Sequence, residues 1–161
     1  MTQETTASNS SSEPAIWELY PDATIDQDNR AQYEGMLRRE LCLNRCSSCT
    51  AWHQPPRSIC PRCWSVDVRP TAVSGKGVVM MAAVLRQGKA ALGVEYPYHL
   101  VTVELDEQPA LRYTSAIAED CIDQVQIGTR VTLDWVERGG APHPVFRPDA
   151  DKAPGSASDV G

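Results

Sequence analysis

The chain has 161 residues, 42% hydrophobic and 22% charged, with a net charge of −6, which fits one domain with a small appendage and excludes wholesale disorder. Its longest apolar run, Val78 to Leu85, is far short of the about 20 residues of a spanning helix, so no transmembrane segment is expected. The Ser/Thr-rich N-terminus has neither a basic nor an apolar block, so a secretory signal is not expected and a cytoplasmic location is.

In chain order, residues 1–15 read as a disordered tail. Residues 16–44 hold an N-terminal segment and a helix. Ile16, Trp17, Leu19 and Tyr20 form an apolar cluster that ends at Pro21. Asp26 or Asp28 is placed to cap a helix over roughly 29–40. There Tyr33, Met36, Leu37 and Leu41 share a helical face, with Arg30, Arg38 and Arg39 largely off it. Gly35 is expected to weaken this helix. Residues 30–70 carry seven Arg against three acids, whereas residues 1–29 carry six acids and no basic residue. A basic segment therefore lies between acidic flanks. The overall acidity argues against non-specific nucleic-acid binding.

The strongest signal is Cys46-Ser-Ser-Cys49 and Cys60-Pro-Arg-Cys63, two CxxC pairs separated by ten residues, within a ribbon over 45–67. Each pair turns two sulfurs toward one point, and together they offer a tetrahedral tetrathiolate site, the geometry and donor set that zinc favours. With all four positions filled by Cys, such a metal is structural rather than catalytic. Iron in a rubredoxin-like site and two disulfides are the alternatives, the latter disfavoured where thiols stay reduced. Cys42 and Cys121 read as small apolar fillers. His53, inside the ribbon, is a spare ligand to a set that is already complete.

From residue 68 to 147 the period changes to two. Val101, Val103 and Leu105 alternate with polar residues, as do Leu111 and Tyr113, and Val131, Leu133 and Trp135. Val78 to Leu85 reads as a long, mostly apolar strand after a Gly-Lys-Gly turn, and Val145-Phe146 as a last short one. Five or so antiparallel strands point to a small barrel of OB type, in a mainly β chain. Residues 148–161 read as a second disordered tail. No Ser/His/Asp arrangement, phosphate-cradling glycine loop or telling carboxylate pair is present, so the chain on its own reads as non-catalytic.

The order helix, four-cysteine ribbon and barrel, with the segments LCLNRCSSCTAWHQPPRSICPRCWS (41–65), SGKGVV (74–79), YPYHLVTVELDE (96–107), IGTRVTLDW (127–135) and PHPVFRP (142–148), resembles a known family. It is the family of small zinc-ribbon plus OB-fold proteins associated with acyl-CoA thiolases and lipid-transfer-protein-type aldolases, formerly a domain of unknown function. Thr50 and Trp64 depart from the Gly that usually follows such knuckles. The resemblance implies an accessory subunit whose enzyme partner makes or breaks carbon–carbon bonds in acyl-CoA thioesters and supplies the catalytic residues. Acyl-CoA would lie at the shared interface. Trp17, Arg38, Arg39, Trp52, Arg57, Arg62 and Trp64 are the candidate partner-binding residues, because Arg and Trp are favoured at interface centres. The blander reading is that Trp52 and Trp64 cover the ribbon. Single-stranded nucleic-acid binding is the alternative function, since OB barrels and ribbons serve it too. The acidic barrel with few aromatic side chains disfavours it.

Overall fold

The computed structural model describes residues 14–88 and 94–149. The expected tails therefore lie mostly outside the described residues. At their inner ends, Ala15 precedes the first helix, and Asp149 donates its N–H to Arg130 O at 3.0 Å.

The chain opens with α1 (Ile16–Leu19). Ile16 and Tyr20, one turn apart, are buried, and Trp17 points outward. Tyr20 fastens this segment to the barrel, donating its hydroxyl to Pro142 O at 2.9 Å across 122 residues of sequence.

The second helix, α2 (Arg30–Leu37), begins where the sequence predicts, but its N-cap is Asn29 and no side chain caps it; Asp26 instead closes the turn that precedes it. Asp26 Oδ1 accepts the N–H groups of Asp28 and Asn29, and Asn29 Oδ1 accepts that of Asp26 in return. The helix stops three residues earlier than expected, and its buried face is Gln32, Gly35 and Met36 rather than Tyr33, Met36, Leu37 and Leu41. The physical reason is a reversal at residues 38–40. Arg39 adopts a left-handed φ of 59°, and the N–H groups of both Arg38 and Glu40 turn back to Gly35 O. Leu41 is buried, but in the segment beyond the helix. Gly35 is the residue that permits this reversal, because a Cβ there would stand 2.8 Å from Glu40 O and 2.9 Å from Cys42 Sγ. Its helix-weakening cost is the smaller effect. Gly35→Ala is expected to destabilise the chain by about 1–3 kcal/mol through overpacking, despite the better helix propensity of Ala. A thermal melt showing Gly35→Ala equal to or above wild type would contradict this.

Strands β1 (Cys42–Cys46), β2 (Trp52–His53) and β3 (Val68–Ala72) form an antiparallel sheet in the order β2-β1-β3. Val68–Ala72, where the period-two region begins, thus pairs with β1 from Cys42↔Ala72 to Cys46↔Val68 and not with the barrel.

The barrel consists of β4 (Lys76–Leu85), β5 (Tyr98–Leu105), β6 (Arg112–Ile117), β7 (Arg130–Arg138) and β8 (Ala141–Pro148). It closes in the order β4-β5-β6-β8-β7. All pairs are antiparallel except β6 with β8, which run parallel through Ala116↔Val145 and Ile117↔Phe146. This is the expected five-stranded OB-type closure, with a 3-10 helix (Glu119–Gln124) between β6 and β7. Val101, Val103 and Leu105 point inward as their alternation predicts, joined by Val79, Val131 and Phe146, all fully buried or nearly so, while Val145, next to Phe146 and on the other face of its strand, is buried as well. Cys42 and Cys121 are buried fillers. The last strand is longer than Val145-Phe146. Its prolines 142, 144 and 148 sit at even spacing, so their missing N–H groups all fall on one edge and the other ladder survives. Leu41, Leu43, Met36 and Tyr20 pack into the same buried cluster as the barrel residues, so ribbon sheet and barrel share one core. No helix of the described residues is long and apolar enough to cross a membrane.

Candidate metal centre and docking surfaces

The first knuckle begins on β1, which ends at Cys46. There the Cys46 N–H donates to Ala51 O at 2.9 Å, and in the second knuckle the Cys60 N–H donates to Ser65 O at the same distance and spacing. Both knuckles are therefore closed by one kind of backbone link. Each is followed by a left-handed residue, Thr50 with φ 61° and Trp64 with φ 63°. These are the positions where glycine was absent. The turn forms without it, at a cost of about 1–2 kcal/mol for each Cβ. Ser48 and Ser65 hydroxyls hydrogen-bond at 2.8 Å and tie the knuckles to each other.

The four sulfurs of Cys46, Cys49, Cys60 and Cys63 lie within 4.8 Å of one another. Cys46 Sγ is 3.6 Å from Cys63 Sγ, and Cys49 Sγ is 3.7 Å from Cys60 Sγ. A tetrahedron with metal–sulfur bonds of about 2.3 Å has edges of about 3.8 Å, whereas an S–S bond measures about 2.05 Å. The arrangement fits a tetrathiolate metal site. The electrostatics point the same way. The backbone N–H groups of Cys49 and Ser48 aim at the Cys46 sulfur and lower its pKa to about 6. Burial pushes the Cys60 thiol up, but the N–H groups of Arg62 and Cys63 outweigh it and leave the thiol below its usual range. The N–H of Ser65 draws the Cys63 thiol down, yet the crowd of neighbouring sulfurs and burial prevail and push it up to about 12. Four thiols this close do not all ionise unless a cation shares their charge. His53 stands outside the group, and burial lowers its pKa.

The candidate partner-binding residues fall in several places. Arg57 and Trp64 share a shallow depression of about 420 Å³ with Ile59, Pro61 and Asp28. Trp64 is 79% exposed and Trp17 is 61% exposed. Arg62 is an exposed residue of the second knuckle. Trp52 is half-buried beneath the Arg45 guanidinium, at 5.3 Å, and its backbone N–H and C=O both bond the Gln108 side chain. Arg38 is held by Glu34 O and the Glu40 carboxylate, and Arg39 by Glu137 at 2.7 Å.

The sequence did not reveal a cavity of about 330 Å³ between the N-terminal segment and the barrel, lined by Tyr20, Tyr33, Tyr98, Tyr113, Arg138 and His143. The Arg138 guanidinium donates to the Tyr98 hydroxyl at 2.7 Å. These residues come from six separate elements, so no local spacing could flag them. His143 packs edge-on against Tyr20, centroids 5.2 Å apart. Burial, reinforced by the Arg138 charge, lowers its pKa. A lowered histidine pKa adds stability that is complete above the unfolded value of about 6.5 and is lost as pH falls from there through the folded value. Wild type is therefore expected to lose more melting temperature between pH 7.5 and 5 than His143→Gln does. Parallel melting curves for the two proteins would refute it.

With this geometry established, the chain can be placed among known proteins. A family model described as the ChsH2 C-terminal OB-fold domain matches residues 70–136. A chain of the solved structure titled "Ltp2-ChsH2(DUF35) aldolase" is 32% identical with a TM-score of 0.69, over 78% of this chain and 98% of that one. This chain belongs to the DUF35 family. A second solved DUF35 protein, of unknown function and from Sulfolobus solfataricus, is 12% identical with a TM-score of 0.49, over 73% of this chain and 83% of that one. A Thermomonospora curvata protein described as a probable enoyl-CoA hydratase alpha subunit is 33% identical over 131 residues, 81% of this chain. The DUF35 chain spans 40% of the length of that curated relative. The OB-domain match runs from β3 into β7, so the four clustered cysteines of this DUF35 protein lie outside it.

Proposed function

We propose that this DUF35 protein is a non-catalytic accessory subunit, stabilised by a structural zinc ion, of a cytoplasmic thiolase-fold or lipid-transfer-protein-type enzyme that makes or cleaves carbon–carbon bonds in acyl-CoA thioesters. The observation that carries the reading is the likeness to a chain of the Ltp2-ChsH2(DUF35) aldolase along 98% of that chain's length. Zinc is the metal that suits four clustered thiolates with no open position, and Cys46, Cys49, Cys60 and Cys63 would hold it. Trp64 supports a docking role. A large aromatic residue in a left-handed conformation and 79% exposed contributes little to its own fold and suits an interface anchor. Arg57 and Arg62, exposed on the same ribbon, are placed to meet the phosphates of an acyl-CoA at the shared interface. A single-strand binder needs aromatic platforms, whereas the exposed large apolar residues described on the barrel side, Met80, Met81, Val84, Leu85 and Ile127, are all aliphatic.

The test is affinity purification of the tagged chain from its native host, with the co-purifying subunit identified by mass spectrometry and assayed for acyl-CoA carbon–carbon bond chemistry. A stable complex with such an enzyme and about one zinc per chain are expected. Two independent species on size exclusion after co-expression with that enzyme would overturn the reading.

A further inference from the structure

β4 has two halves in different surroundings. From Lys76 to Val79 both edges are closed. β5 lies on one side. On the other, β7 pairs through Val78, and Val79 bonds Thr129 O and the Gly128 N–H. At Met80 the strand bulges. Beyond it, Met81 to Leu85 pair only with β5, from Met81↔Thr102 to Leu85↔Tyr98, and among the described residues no strand lies along the other edge. This half reads Met-Met-Ala-Ala-Val-Leu, without a polar residue. A strand with one wet face alternates apolar and polar residues, whereas an unbroken apolar strand is the signature of burial on both faces. Yet Met80, Met81, Val84 and Leu85 are 43%, 49%, 44% and 42% exposed, and Ile127, beside the Gly128 bonded to Val79, is 67% exposed. Open apolar edges are what folded proteins normally blunt with charge or cover.

We infer that the Met80–Leu85 edge of β4 is where an extended apolar segment of the partner enzyme subunit docks as an added strand. This rests on the accessory-subunit reading above and deepens it. Edge addition satisfies both features of the site, the unpaired backbone through main-chain hydrogen bonds and the aliphatic side chains through burial. Its size selects the occupant. The five exposed side chains present on the order of 400 Å², about half of what one partner brings to a stable interface. Two copies paired edge to edge would bury roughly 800 Å² in total, the range of packing contacts rather than of a stable dimer. A larger enzyme subunit covers the edge as one part of a wider contact.

The experiment compares backbone hydrogen exchange in the full chain alone and in its complex with the co-purified enzyme subunit. It then measures the affinity of Met80→Lys/Val84→Lys beside Trp64→Gly. Amides of residues 80–85 are expected to exchange at least about tenfold more slowly in the complex. The double Lys variant, with unchanged circular dichroism and metal content, is expected to bind at least about tenfold more weakly. Complex formation with unchanged exchange at 80–85 overturns the edge inference and leaves the accessory reading standing. Protection that appears in the chain alone as its own concentration rises assigns the edge to a second copy and also overturns it. If no acyl-CoA enzyme binds the wild-type chain, the accessory reading falls and takes the edge with it. The exchange measurement uses the wild-type chain, so the inference is tested even if the Lys variant misfolds.

Discussion

Stripping the metal with a chelator is expected to lower the melting temperature of this DUF35 protein by more than about 10 °C. A structural zinc site holds on the order of 10 kcal/mol or more of binding free energy at neutral pH, as much as the entire stability of a typical domain. With the proposed zinc bound, the four cysteines would be the main link between two knuckles that otherwise share the Ser48–Ser65 hydroxyl contact and the backbone bond from the Ser47 N–H to Asp67 O. Without the cation, the crowded sulfurs that push the Cys63 thiol up to about 12 favour separation of the knuckles. The damage does not stop at the ribbon, because Leu41 and Leu43, just before and within β1, share a buried cluster with Val79 and Phe146 of the barrel. Cys60→Ser, at a fully buried member of the cysteine cluster, is expected to match chelation, and Cys42→Ala and Cys121→Ala to retain the metal. The pH sign follows from the ligand chemistry. A bound thiolate must shed its proton, so acid competes with the metal for the sulfurs and favours its release. Melting curves with and without chelator, beside metal analysis, decide the matter. An unchanged melting temperature after the metal has gone would show that the site is not structural.

Features carried by a few neighbouring residues were legible in the sequence, and features made by distant ones were not. The cysteine cluster could be read because each CxxC is a local unit whose two sulfurs must converge. The inward positions of Val101, Val103 and Leu105 could be read because a strand has a period of two. What period two does not state is the neighbour. Period two alone therefore puts Val68–Ala72 with the barrel, although its hydrogen bonds go to β1. The end of α2 was misplaced because the reversal depends on the missing Cβ of Gly35 against Cys42, a tertiary contact that propensity does not encode. In β8, Pro142 and Pro144 hid a strand that tolerates them because they share an edge. The cavity at Tyr20, Tyr33, Arg138 and His143 joins the first described segment to the last strand, and only the folded chain reveals it. The apolar run of β4 predicts a strand, and a strand forms there. That half of it stays uncovered was not legible, because the sequence of one chain does not show what covers an edge.

Replacing the one phenylalanine of the chain is the other large effect. Phe146→Ala is expected to cost about 3–5 kcal/mol, a third or more of the stability of an ordinary domain. Phe146 is fully buried and is the bulkiest of the side chains with almost no exposure. It sits on β8 where the barrel closes, facing Ile117 in the parallel pair and Leu133 in the antiparallel one. Its carbonyl accepts the Ala118 N–H at 3.0 Å, just as β6 gives way to the 3-10 helix. Around it the inner wall is Val79, Val101, Val103 and Val131. Valine is short and stiff at χ1, so these neighbours reach only part of the way into the space that an aromatic ring fills. The cavity left by Ala would stay largely open, and an open cavity adds its own cost to the lost transfer energy. Phe146→Leu keeps most of the volume and is expected to cost less than about 1.5 kcal/mol. Urea denaturation of the metal-loaded protein separates the two, and a Phe146→Ala loss no larger than that of Phe146→Leu would mean that the valine wall collapses inward and that the barrel does not depend on its central ring.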